Sequence, residues 1–472
     1  MTGFLKGLVD SSQIRLVKPD PIIRGATYKQ VRIPDSLRQT EPITLVEVRN
    51  AQEIALILRR ATQERMPIYV RQGTGWVALD IVRPEPPGAI VLDLRRLNWI
   101  RPNFDSGYVE VGPAVSEQAL NDILSPHGFS YPEFIGPVTW GGLASMNTSG
   151  RSVDPHTGKP GDYLMGLEIV LPTGEIIQTG TRSHRRPCGV DLTWLFTGFQ
   201  ALVGVMTNIR IRLVPSPRNI RWGAVYVPTV EAAGEVVCQL YRKGVPPPRT
   251  LELMDRHFLE LGGVPTESSG AVMLVATDGW TETEAEAKLN AIFGLAKEQG
   301  AKKTSRLSSE ESRDFMKFRN EQNVGGNGNR FNELGLFPLI GTVMDGPLET
   351  FVESMEAADK MIQEIVHLYP GLHGARIGHI GAGMFHPVFF APNSWDFDRL
   401  QLITHDIRGR LVGLQLQFGC TSGEQGIFPQ HYDWFHQYYG ADYVSVVNRI
   451  KEALDPHNIL NPARYSSPTY FR

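Results

Sequence analysis

A stretch of small and turn-forming residues between residues 131 and 150 restricts the fold of this chain more than any other segment. It reads YPEFIGPVTWGGLASMNTSG. Small side chains let backbone N–H groups approach a large ligand closely, and anionic oxygens are best held by several convergent N–H donors. A glycine-rich surface loop would have the same composition, and the segment contains neither a Walker lysine nor a complete GxGxxG motif. On its own the segment therefore favours a surface loop over a diphosphate site.

A strand–helix–strand unit precedes this stretch. The run TLVEV at 44–48 is typical of a strand. Asn50 suits a helix N-cap, and apolar residues then recur at helical spacing until Pro67. A second strand, IYV at 68–70, leads into the glycine-containing loop RQGTGWVAL at 71–79. The pattern predicts a βαβ element whose second strand delivers a loop to a ligand.

Further strands are predicted in the first half of the chain. Their segments are 89–94, 108–112, the hairpin at 166–180 and the alternating run at 203–215. A short amphipathic helix is predicted over 116–124, with Leu120, Ile123 and Leu124 facing inward. The first forty residues have little periodicity and predict an irregular arm. A domain boundary is predicted near Pro217.

The second half alternates strands with longer helices. Strands are predicted at 225–228, 270–278 and 336–344, and helices near 230–241, 281–299, 347–368 and 395–410. This alternation favours an α+β sheet layer covered on one face. The segment NVGGNGNRFNELG at 323–335 predicts a mobile loop.

Composition excludes several functional classes. Hydrophobic residues make up 42% of the 472 residues and charged residues 21%, which is the balance of a soluble globular protein. The net charge is 47 − 50 = −3 without a dense basic run, which argues against nucleic acid as a partner. Cys188, Cys238 and Cys420 lie far apart, which fits a reducing compartment and argues against a Cys-bound cluster. We find no signal peptide and no membrane span, and expect a cytoplasmic protein.

Six segments occur in an order that is more specific than any one of them. They are RQGTGWVAL at 71–79, VLDLRRLNWI at 91–100, PVTWGGLASMNTSG at 137–150, GLEIVLPTGEIIQTG at 166–180, GVDLTWLFTGFQALVGVMTNIRIRLVP at 189–215 and LDPHNILNPAR at 454–464. Together they resemble the flavoprotein family with the p-cresol methylhydroxylase-type FAD domain, also called the vanillyl-alcohol oxidase family. The branch they resemble most contains D-lactate dehydrogenase and the glycolate oxidase flavin subunit.

The resemblance implies an α+β fold in which a two-subdomain FAD-binding domain of the PCMH type carries an α+β cap domain built on an antiparallel sheet. We therefore predict four parts. They are an N-terminal arm at 1–39, the FAD-binding domain at 40–217, a cap or substrate domain at 218–430 and a C-terminal return to the FAD domain at 431–472.

The resemblance also implies which residues hold FAD. Those at the diphosphate are Arg71, Gln72, Gly73, Thr74, Gly75 and Trp76. Those at the ribityl chain and adenosine side are Pro137, Thr139, Gly141, Gly142, Ser145, Asn147 and Gly150. Gly204 and Val205 would touch the adenine end, and Asn461 would approach the isoalloxazine. The two loops contain no histidine, so non-covalent FAD is expected. One departure is that the family's Gly-Ser-Glu-Gly stretch reads GFQA at 198–201.

A second constellation consists of His379 and His386 in GHIGAGMFHPVFF at 378–390. A strand–turn–strand would bring two imidazoles seven positions apart together. Two such histidines taken alone are more often structural, but the resemblance implies a divalent metal held by His379, His386 and Glu424. Two imidazoles and a carboxylate suit zinc, manganese or iron(II) with positions left for substrate.

Three positions near this constellation depart from the family pattern. Ala382 replaces an aspartate, Met384 an asparagine, and Gln425 the histidine that follows the glutamate. That histidine is the family's usual candidate for the base, and a glutamine cannot take a proton at neutral pH. Either His379 or His386 takes over, a metal-bound alkoxide makes a base less necessary, or the substrate is not a 2-hydroxy acid.

Arg319 occupies the position of the family arginine that clamps the substrate carboxylate. An arginine on the exposed face of a helix is the alternative interpretation, and Arg330 is a weaker candidate for the clamp. Tyr438 and Tyr439 are either packing residues or activators of a phenol. The catalytic residues we predict are His379, His386, Arg319 and Glu424.

The function that the resemblance implies is an FAD-dependent oxidoreductase acting on CH–OH groups, most simply a 2-hydroxy-acid dehydrogenase for a substrate like D-lactate or glycolate. The electrons would pass to a diffusible acceptor, an electron-transfer flavoprotein or an iron–sulfur partner subunit. One alternative is a flavin oxidase or dehydrogenase of a phenolic or bulky alcohol. Another is a flavin-bearing electron-relay subunit of a larger complex. The sequence leaves the oligomeric state open.

Overall fold

The computed structural model describes residues 2–17, 42–71, 88–131, 138–148, 154–185, 189–266, 269–321, 331, 333–341, 343–421 and 432–462. Within these residues no helix combines the length and the apolar character that crossing a membrane requires.

The first sheet is a mixed four-stranded layer. Its strands are β1 (Ile14–Val17), β2 (Ile43–Glu47), β3 (Ile68–Arg71) and β4 (Ile90–Asp93), in the order β1-β2-β4-β3. β2 and β3 both run parallel to β4, and helix α2 (Ala51–Glu64) connects β2 to β3, while α1 (Thr2–Leu5) precedes β1. The Asn50 side chain accepts a hydrogen bond from the Glu53 N–H, which confirms the predicted N-cap. The predicted βαβ element is therefore present.

The second sheet is antiparallel and has five strands. They are β5 (Ile100–Asn103), β6 (Tyr108–Val111), β7 (Leu164–Val170), β8 (Ile176–Gln178) and β9 (Val205–Arg212), in the order β5-β6-β9-β7-β8. Its helices are α3 (Glu117–Leu124), α4 (Trp140–Met146), α5 (Asp154–Thr157), α6 (Pro160–Tyr163) and α7 (Leu192–Phe196). The predicted hairpin is β7–β8, and it turns at Gly174 with φ of 84°. The inward prediction for Ile123 is wrong, because its side chain is 43% exposed at the edge of the apolar face of α3.

The third sheet is antiparallel and has eight strands. They are β10 (Asn219–Val227), β11 (Thr250–Asp255), β12 (Ala271–Gly279), β13 (Lys303–Leu307), β14 (Leu336–Gly341), β15 (Met344–Asp345), β16 (His373–Gly378) and β17 (Met384–Pro392). The order is β13-β10-β12-β11-β16-β17-β14, with β15 also pairing with β17. The predicted antiparallel sheet of the cap region is thus confirmed.

Helices pack against both faces of the third sheet. Its helices are α8 (Val230–Arg242), α9 (Arg256–Leu261), α10 (Glu282–Glu298), α11 (Ser309–Glu321), α12 (Phe351–Leu368) and α13 (Phe397–Phe418). Leu251 and Leu253 of β11 join an apolar cluster with α8, α10 and α12. Met254, one position on, joins a separate cluster with α9 and α11, because successive side chains of a strand point to opposite faces. The prediction of a sheet covered on one face is therefore wrong.

The C-terminal segment returns to the first sheet. Helix α14 (Tyr432–Leu454) breaks at Gly440, whose φ is 82° and ψ is 164°. After it, Leu460 pairs in parallel with Ile68 on the edge strand β3. Lys451 Nζ donates to the carbonyl oxygens of Leu202 and Leu460, which holds the end of α14 against this domain.

Candidate active site

The first part of the candidate site is the loop region between the two N-terminal sheets. Arg71 is the last residue of β3, where the predicted diphosphate loop begins. The other residues predicted at this loop, and two predicted at the second loop, lie outside the described residues. They are Gln72, Gly73, Thr74, Gly75, Trp76, Pro137 and Gly150.

The short helix α4 carries four of the predicted cofactor residues. Thr139 caps it, with its hydroxyl oxygen accepting a hydrogen bond from the Gly142 N–H at 3.4 Å. Among the atoms of the described residues, a Cβ atom at Gly142 would meet only the Thr139 hydroxyl, 3.6 Å away. Gly141 and Ser145 are buried against the second sheet. Among the described residues, Gly142 therefore leaves open space beside its backbone.

Asn147 ends α4 in the left-handed conformation, with φ of 48°. Its side-chain oxygen accepts a hydrogen bond from the Gly161 N–H at 2.9 Å. The backbone carbonyls of Ala144 and Ser145 accept hydrogen bonds from Gly198 and Gln200. The second predicted loop is therefore tied to the segment GFQA on one side and to α6 on the other.

The segment GFQA at 198–201, which departs from the family pattern, has a left-handed backbone at three of its four residues. Gly198, Gln200 and Ala201 have φ of 78°, 54° and 56°. Glycine adopts this left-handed backbone without strain, whereas Gln200 and Ala201 carry a Cβ atom that disfavours it. The Gln200 N–H bond to Ser145 helps to hold the strained conformation.

Gly204 and Val205 were predicted at the adenine end. A Cβ atom on Gly204 would collide with the Ile169 side chain, so glycine allows the approach to β7. The Val205 side chain is fully buried in the core of the first sheet. Any cofactor contact of these two residues would have to use the backbone, and their adenine role stays a prediction.

Asn461 joins three segments of the first domain. Its side-chain oxygen accepts a hydrogen bond from the Val70 N–H at 3.2 Å, and its amide nitrogen donates to the Ala201 carbonyl at 2.9 Å. The residue is completely buried and left-handed, with φ of 48°. It therefore fastens the C-terminal segment to the loop region, and its approach to an isoalloxazine stays a prediction.

The second part of the site lies at the junction of β16 and β17. His379 follows β16, a 3-10 turn spans Ile380–Ala382, Gly383 has φ of 83°, and His386 lies in β17. The two rings are perpendicular, with centroids 5.6 Å apart. Both histidines are buried, at 1% and 8% exposure. The predicted strand–turn–strand that brings the two imidazoles together is confirmed.

Arg319 belongs to the same cluster. It lies on α11 with no exposed surface, so the alternative of an arginine on an exposed helix face is wrong. Its Nε lies 2.8 Å from Glu252 Oε2, an ion pair that lacks hydrogen-bond geometry. Among the described residues no hydrogen-bond acceptor reaches its Nη1 or Nη2. Two unsatisfied charged N–H groups in a buried position are costly unless a ligand or solvent meets them.

Glu252 is the functional residue that sequence reasoning missed. It lies in β11 with no exposed surface, and its Oε1 is in contact with His379 Nδ1. Its Oε2 faces Arg319, so one carboxylate contacts both groups. The available signal was an acidic residue in the middle of TLELMD, an otherwise apolar buried strand.

The described residues do not by themselves form a complete metal site. Within them no group of three histidine, cysteine, aspartate or glutamate side chains could hold an ion. Glu424, Gln425 and Arg330 lie outside the residues described. Met384 is buried at 2% exposure in β17, and Ala382 ends the 3-10 turn.

The two tyrosines of α14 belong to an aromatic cluster. Tyr438 stacks on Trp434 with ring centroids 5.3 Å apart, and Tyr439 stacks on Tyr443 at 4.5 Å. Tyr438 also donates a hydrogen bond to the Gly419 carbonyl at 3.3 Å. Burial, together with Tyr443, raises the pKa of Tyr439. These contacts favour the packing interpretation of both residues.

The turn beside His379 lies close to the first half of the chain. Cα atoms of α5 and of the Ile380–Ala382 turn lie within 8 Å of one another, and α5 follows the second predicted loop along the chain. His156 Nε2 of α5 lies 3.0 Å from a carboxylate oxygen of Asp278 in β12. The histidine and arginine cluster therefore faces the domain that carries the predicted cofactor loops.

Comparison with known proteins matches both halves of the chain to protein families. The family described as FAD linked oxidases, C-terminal domain, matches residues 216–465. The family described as FAD binding domain matches residues 42–180. The first match alone covers more than half of the chain.

Curated relatives and solved structures agree with these matches. A D-lactate dehydrogenase of Archaeoglobus fulgidus is 25% identical over 439 residues, which cover 90% of this chain and 92% of that protein. The glycolate oxidase subunit GlcD of Bacillus subtilis is 26% identical over 441 residues, covering 90% and 89%. Substrate-bound p-cresol methylhydroxylase has the same fold, with a TM-score of 0.75, 17% identity, and coverage of 99% of this chain and 96% of that one.

Proposed function

Because the chain belongs to the FAD-linked oxidases, we propose that it is a dehydrogenase that oxidises the CH–OH group of a small 2-hydroxy carboxylate such as D-lactate or glycolate. The observation that carries the substrate class is the buried Arg319, whose Nη1 and Nη2 have no acceptor among the described residues. A guanidinium presents paired donors that match a carboxylate. The relatives named D-lactate dehydrogenase and glycolate oxidase support this class of substrate.

The residues around Gly142 fit a bound FAD. The open space beside Gly142 would admit the cofactor, and the left-handed residues of GFQA and Asn147 shape the wall around it. When bound, FAD supplies the two-electron acceptor for the reaction. We propose that the predicted loop residues hold it non-covalently.

The chain's own residues would bind and orient the substrate. Arg319 Nη1 and Nη2 would hold the carboxylate, which fixes the substrate's direction relative to the flavin domain. His379 and His386 lie in the same cluster and would contact the hydroxyl group. The burial of all three residues would exclude water from the reacting carbon.

Reduction of the flavin by a substrate panel tests this proposal. Under anaerobic conditions we expect D-lactate or glycolate to bleach the flavin absorbance of the purified protein. Bleaching by phenols alone would favour the phenol-oxidising alternative. Bleaching by no substrate of the panel would favour the electron-relay alternative, provided dithionite still reduces the bound flavin.

We further propose a divalent metal held by His379, His386 and Glu424. The contact between Glu252 and His379 Nδ1 supports it, since metal-binding histidines commonly give their other ring nitrogen to a carboxylate. A bound metal would supply a Lewis acid for the hydroxyl oxygen.

Metal analysis of chelator-free protein tests this second proposal. We expect about one zinc, manganese or iron per chain, and we expect His386→Ala to lose metal and activity while keeping FAD. His405→Ala, on the exposed side of α13, is the matched control and should keep both. A metal-free protein that is fully active and insensitive to chelators would contradict it.

The electrons are proposed to leave to a protein or diffusible acceptor, such as an electron-transfer flavoprotein or an iron–sulfur subunit. We expect slow reoxidation by dioxygen and fast reoxidation by a dye acceptor. Peroxide formation at every turnover would identify an oxidase instead.

A further inference from the structure

Glu252 occupies a position where a carboxylate must have partners. It lies in the middle of β11, between the buried residues Leu251 and Leu253, and has no exposed surface. Strand alternation turns it toward the face of the sheet that carries α11. Burial of an unpaired carboxylate is strongly unfavourable, so contacts with groups such as His379 and Arg319 are required by its position.

The two oxygens of Glu252 serve two different groups. Oε2 lies 2.8 Å from Arg319 Nε, and Oε1 contacts His379 Nδ1. Nε is therefore the nitrogen of Arg319 that lies nearest to the carboxylate. Among the described residues no acceptor reaches the end edge of the guanidinium, which is formed by Nη1 and Nη2. This is one of the two edges with which arginine binds a carboxylate through paired hydrogen bonds.

The contact with His379 sets the form of the imidazole. A carboxylate accepts hydrogen bonds and cannot donate one, so Nδ1 carries the proton in this contact. In a neutral imidazole the other nitrogen, Nε2, then has the lone pair. Nε2 lies on the side of the ring away from Glu252 and acts as a Lewis base, either for a hydroxyl proton or for a metal ion.

Glu252 also compensates the charge of Arg319 before any substrate binds. Because Arg319 is fully buried, its positive charge needs a negative partner before any substrate binds. The Glu252 carboxylate provides that partner at Nε, and Nη1 and Nη2 remain for the substrate carboxylate. The binding groups are thus held in position in advance, which lowers the ordering cost of binding.

We propose that Glu252 is a positioning residue that aligns Arg319 with the substrate carboxylate and fixes His379 with its lone pair on Nε2. The inference rests on the proposed oxidation of a 2-hydroxy carboxylate. A neutral amide cannot fill both roles, because a glutamine carries no charge to pair with Arg319 and has one acceptor oxygen where the carboxylate has two.

Anaerobic stopped-flow reduction by D-lactate, or by glycolate if that is the better substrate, tests the proposal in Glu252→Gln. We expect the limiting rate of flavin reduction to fall by about 10²-fold or more, since His379 and Arg319 lose the carboxylate that orients them. We expect the substrate Kd to rise about tenfold through the loosened arginine. Glu252→Asp keeps the charge, so its limiting rate of flavin reduction should recover at least a tenth of what Glu252→Gln loses. FAD content should equal that of the wild type.

Asp255→Asn is the matched control. Asp255 ends the same strand, is buried at 4% exposure and also pairs with an arginine, Arg376. Asp255→Asn should lower thermal stability but leave both the limiting rate of flavin reduction and the substrate Kd close to those of the wild type. If Glu252→Gln reduces its flavin with wild-type rate and Kd, or if Asp255→Asn has the same kinetic effect, the proposal is overturned.

A measurement on the wild type keeps the proposal testable if the glutamine variant does not fold. In ¹⁵N-histidine protein, with the His379 signal identified by its loss in His379→Gln, we expect a protonated Nδ1 and an unprotonated Nε2. A proton on Nε2 would overturn the proposal. The spectrum needs no substrate, so a wild type that no 2-hydroxy acid reduces would refute the proposed function while this signature still decides the role of Glu252.

Discussion

Polar side chains are used differently in the two halves of the site. In the flavin domain the side chains of Thr139, Asn147 and Asn461 form hydrogen bonds with backbone groups of the chain itself. In the cap domain Arg319 is buried with two nitrogens that no acceptor reaches within the described residues. The first set fixes the backbone of the chain, and the second leaves charged donors for a ligand. Substitutions in the first region should therefore change folding and cofactor content, and those in the second should change turnover.

The largest effect is expected from Gly142→Trp. The open space beside Gly142 is where we place the cofactor, so an indole there should give a folded but colourless protein without activity. Flavin absorbance after purification and after incubation with FAD measures the outcome. Gly294→Trp is the matched control, because this helical glycine also has open space and is exposed on α10. A yellow Gly142→Trp protein would remove the helix α4 region from the cofactor site.

Arg319→Met should keep FAD and lose catalysis. Loss of a buried, paired contact to the substrate carboxylate lowers kcat/KM by about 10²–10³-fold. Arg313→Met, at an exposed position of the same helix, should be close to wild type. Arg319→Lys keeps the charge without the paired donors and should also be impaired. Flavin content and steady-state kinetics measure the outcome. A fully active Arg319→Met protein would contradict the view that side chains of the second region act on turnover.

Asn461→Ala should act on stability. It leaves the Val70 N–H and the Ala201 carbonyl without their partner and puts alanine at a φ of 48°, which together cost about 3–5 kcal/mol. Asn458→Ala separates the two contributions, because Asn458 has φ of 47° but is exposed. Chemical denaturation should show a much smaller loss of unfolding free energy for Asn458→Ala than for Asn461→Ala. Equal losses would mean that backbone strain accounts for the effect.

The smallest effect is expected at Cys420, which is buried in the cap domain without a proposed role. Burial, together with Asp345, raises the pKa of its thiol to about 12. The thiolate is the reactive form, and at pH 8 it is then about 10⁻⁴ of the population. Iodoacetamide labelling followed by peptide mass spectrometry should find Cys420 unmodified in the native protein and modified after unfolding. Rapid labelling in the native protein would show that burial here is incomplete.

The sequence predicted those elements that are stabilised by interactions between residues close together in the chain. The βαβ unit was predicted because capping by Asn50 and helical spacing act within a few residues. The pairing of His379 with His386 was predicted because two glycines in the intervening turn allow it. The helix α14 was not predicted, since its break at Gly440 interrupts the pattern.

The remaining features depend on distant partners. Glu252 and His379 are 127 residues apart, and nothing in either segment indicates the other. The burial of Arg319 contradicts the polar pattern SEESRDFMKFRNE of its own helix, because the sheet beneath α11 supplies a charged partner. Tertiary contacts of this kind override local propensity and become visible only in the folded chain.

The return of residues 459–461 to strand β3 has a consequence for biosynthesis. Val70 and Asn461 are 391 residues apart, and the whole cap domain is translated between them. At about 5–20 residues per second, the first sheet waits about 20–80 s on the ribosome for the segment that pairs with its edge at Ile68. The nascent flavin domain therefore exposes an open strand edge for that time, which makes it a natural client for a chaperone that covers unpaired strands.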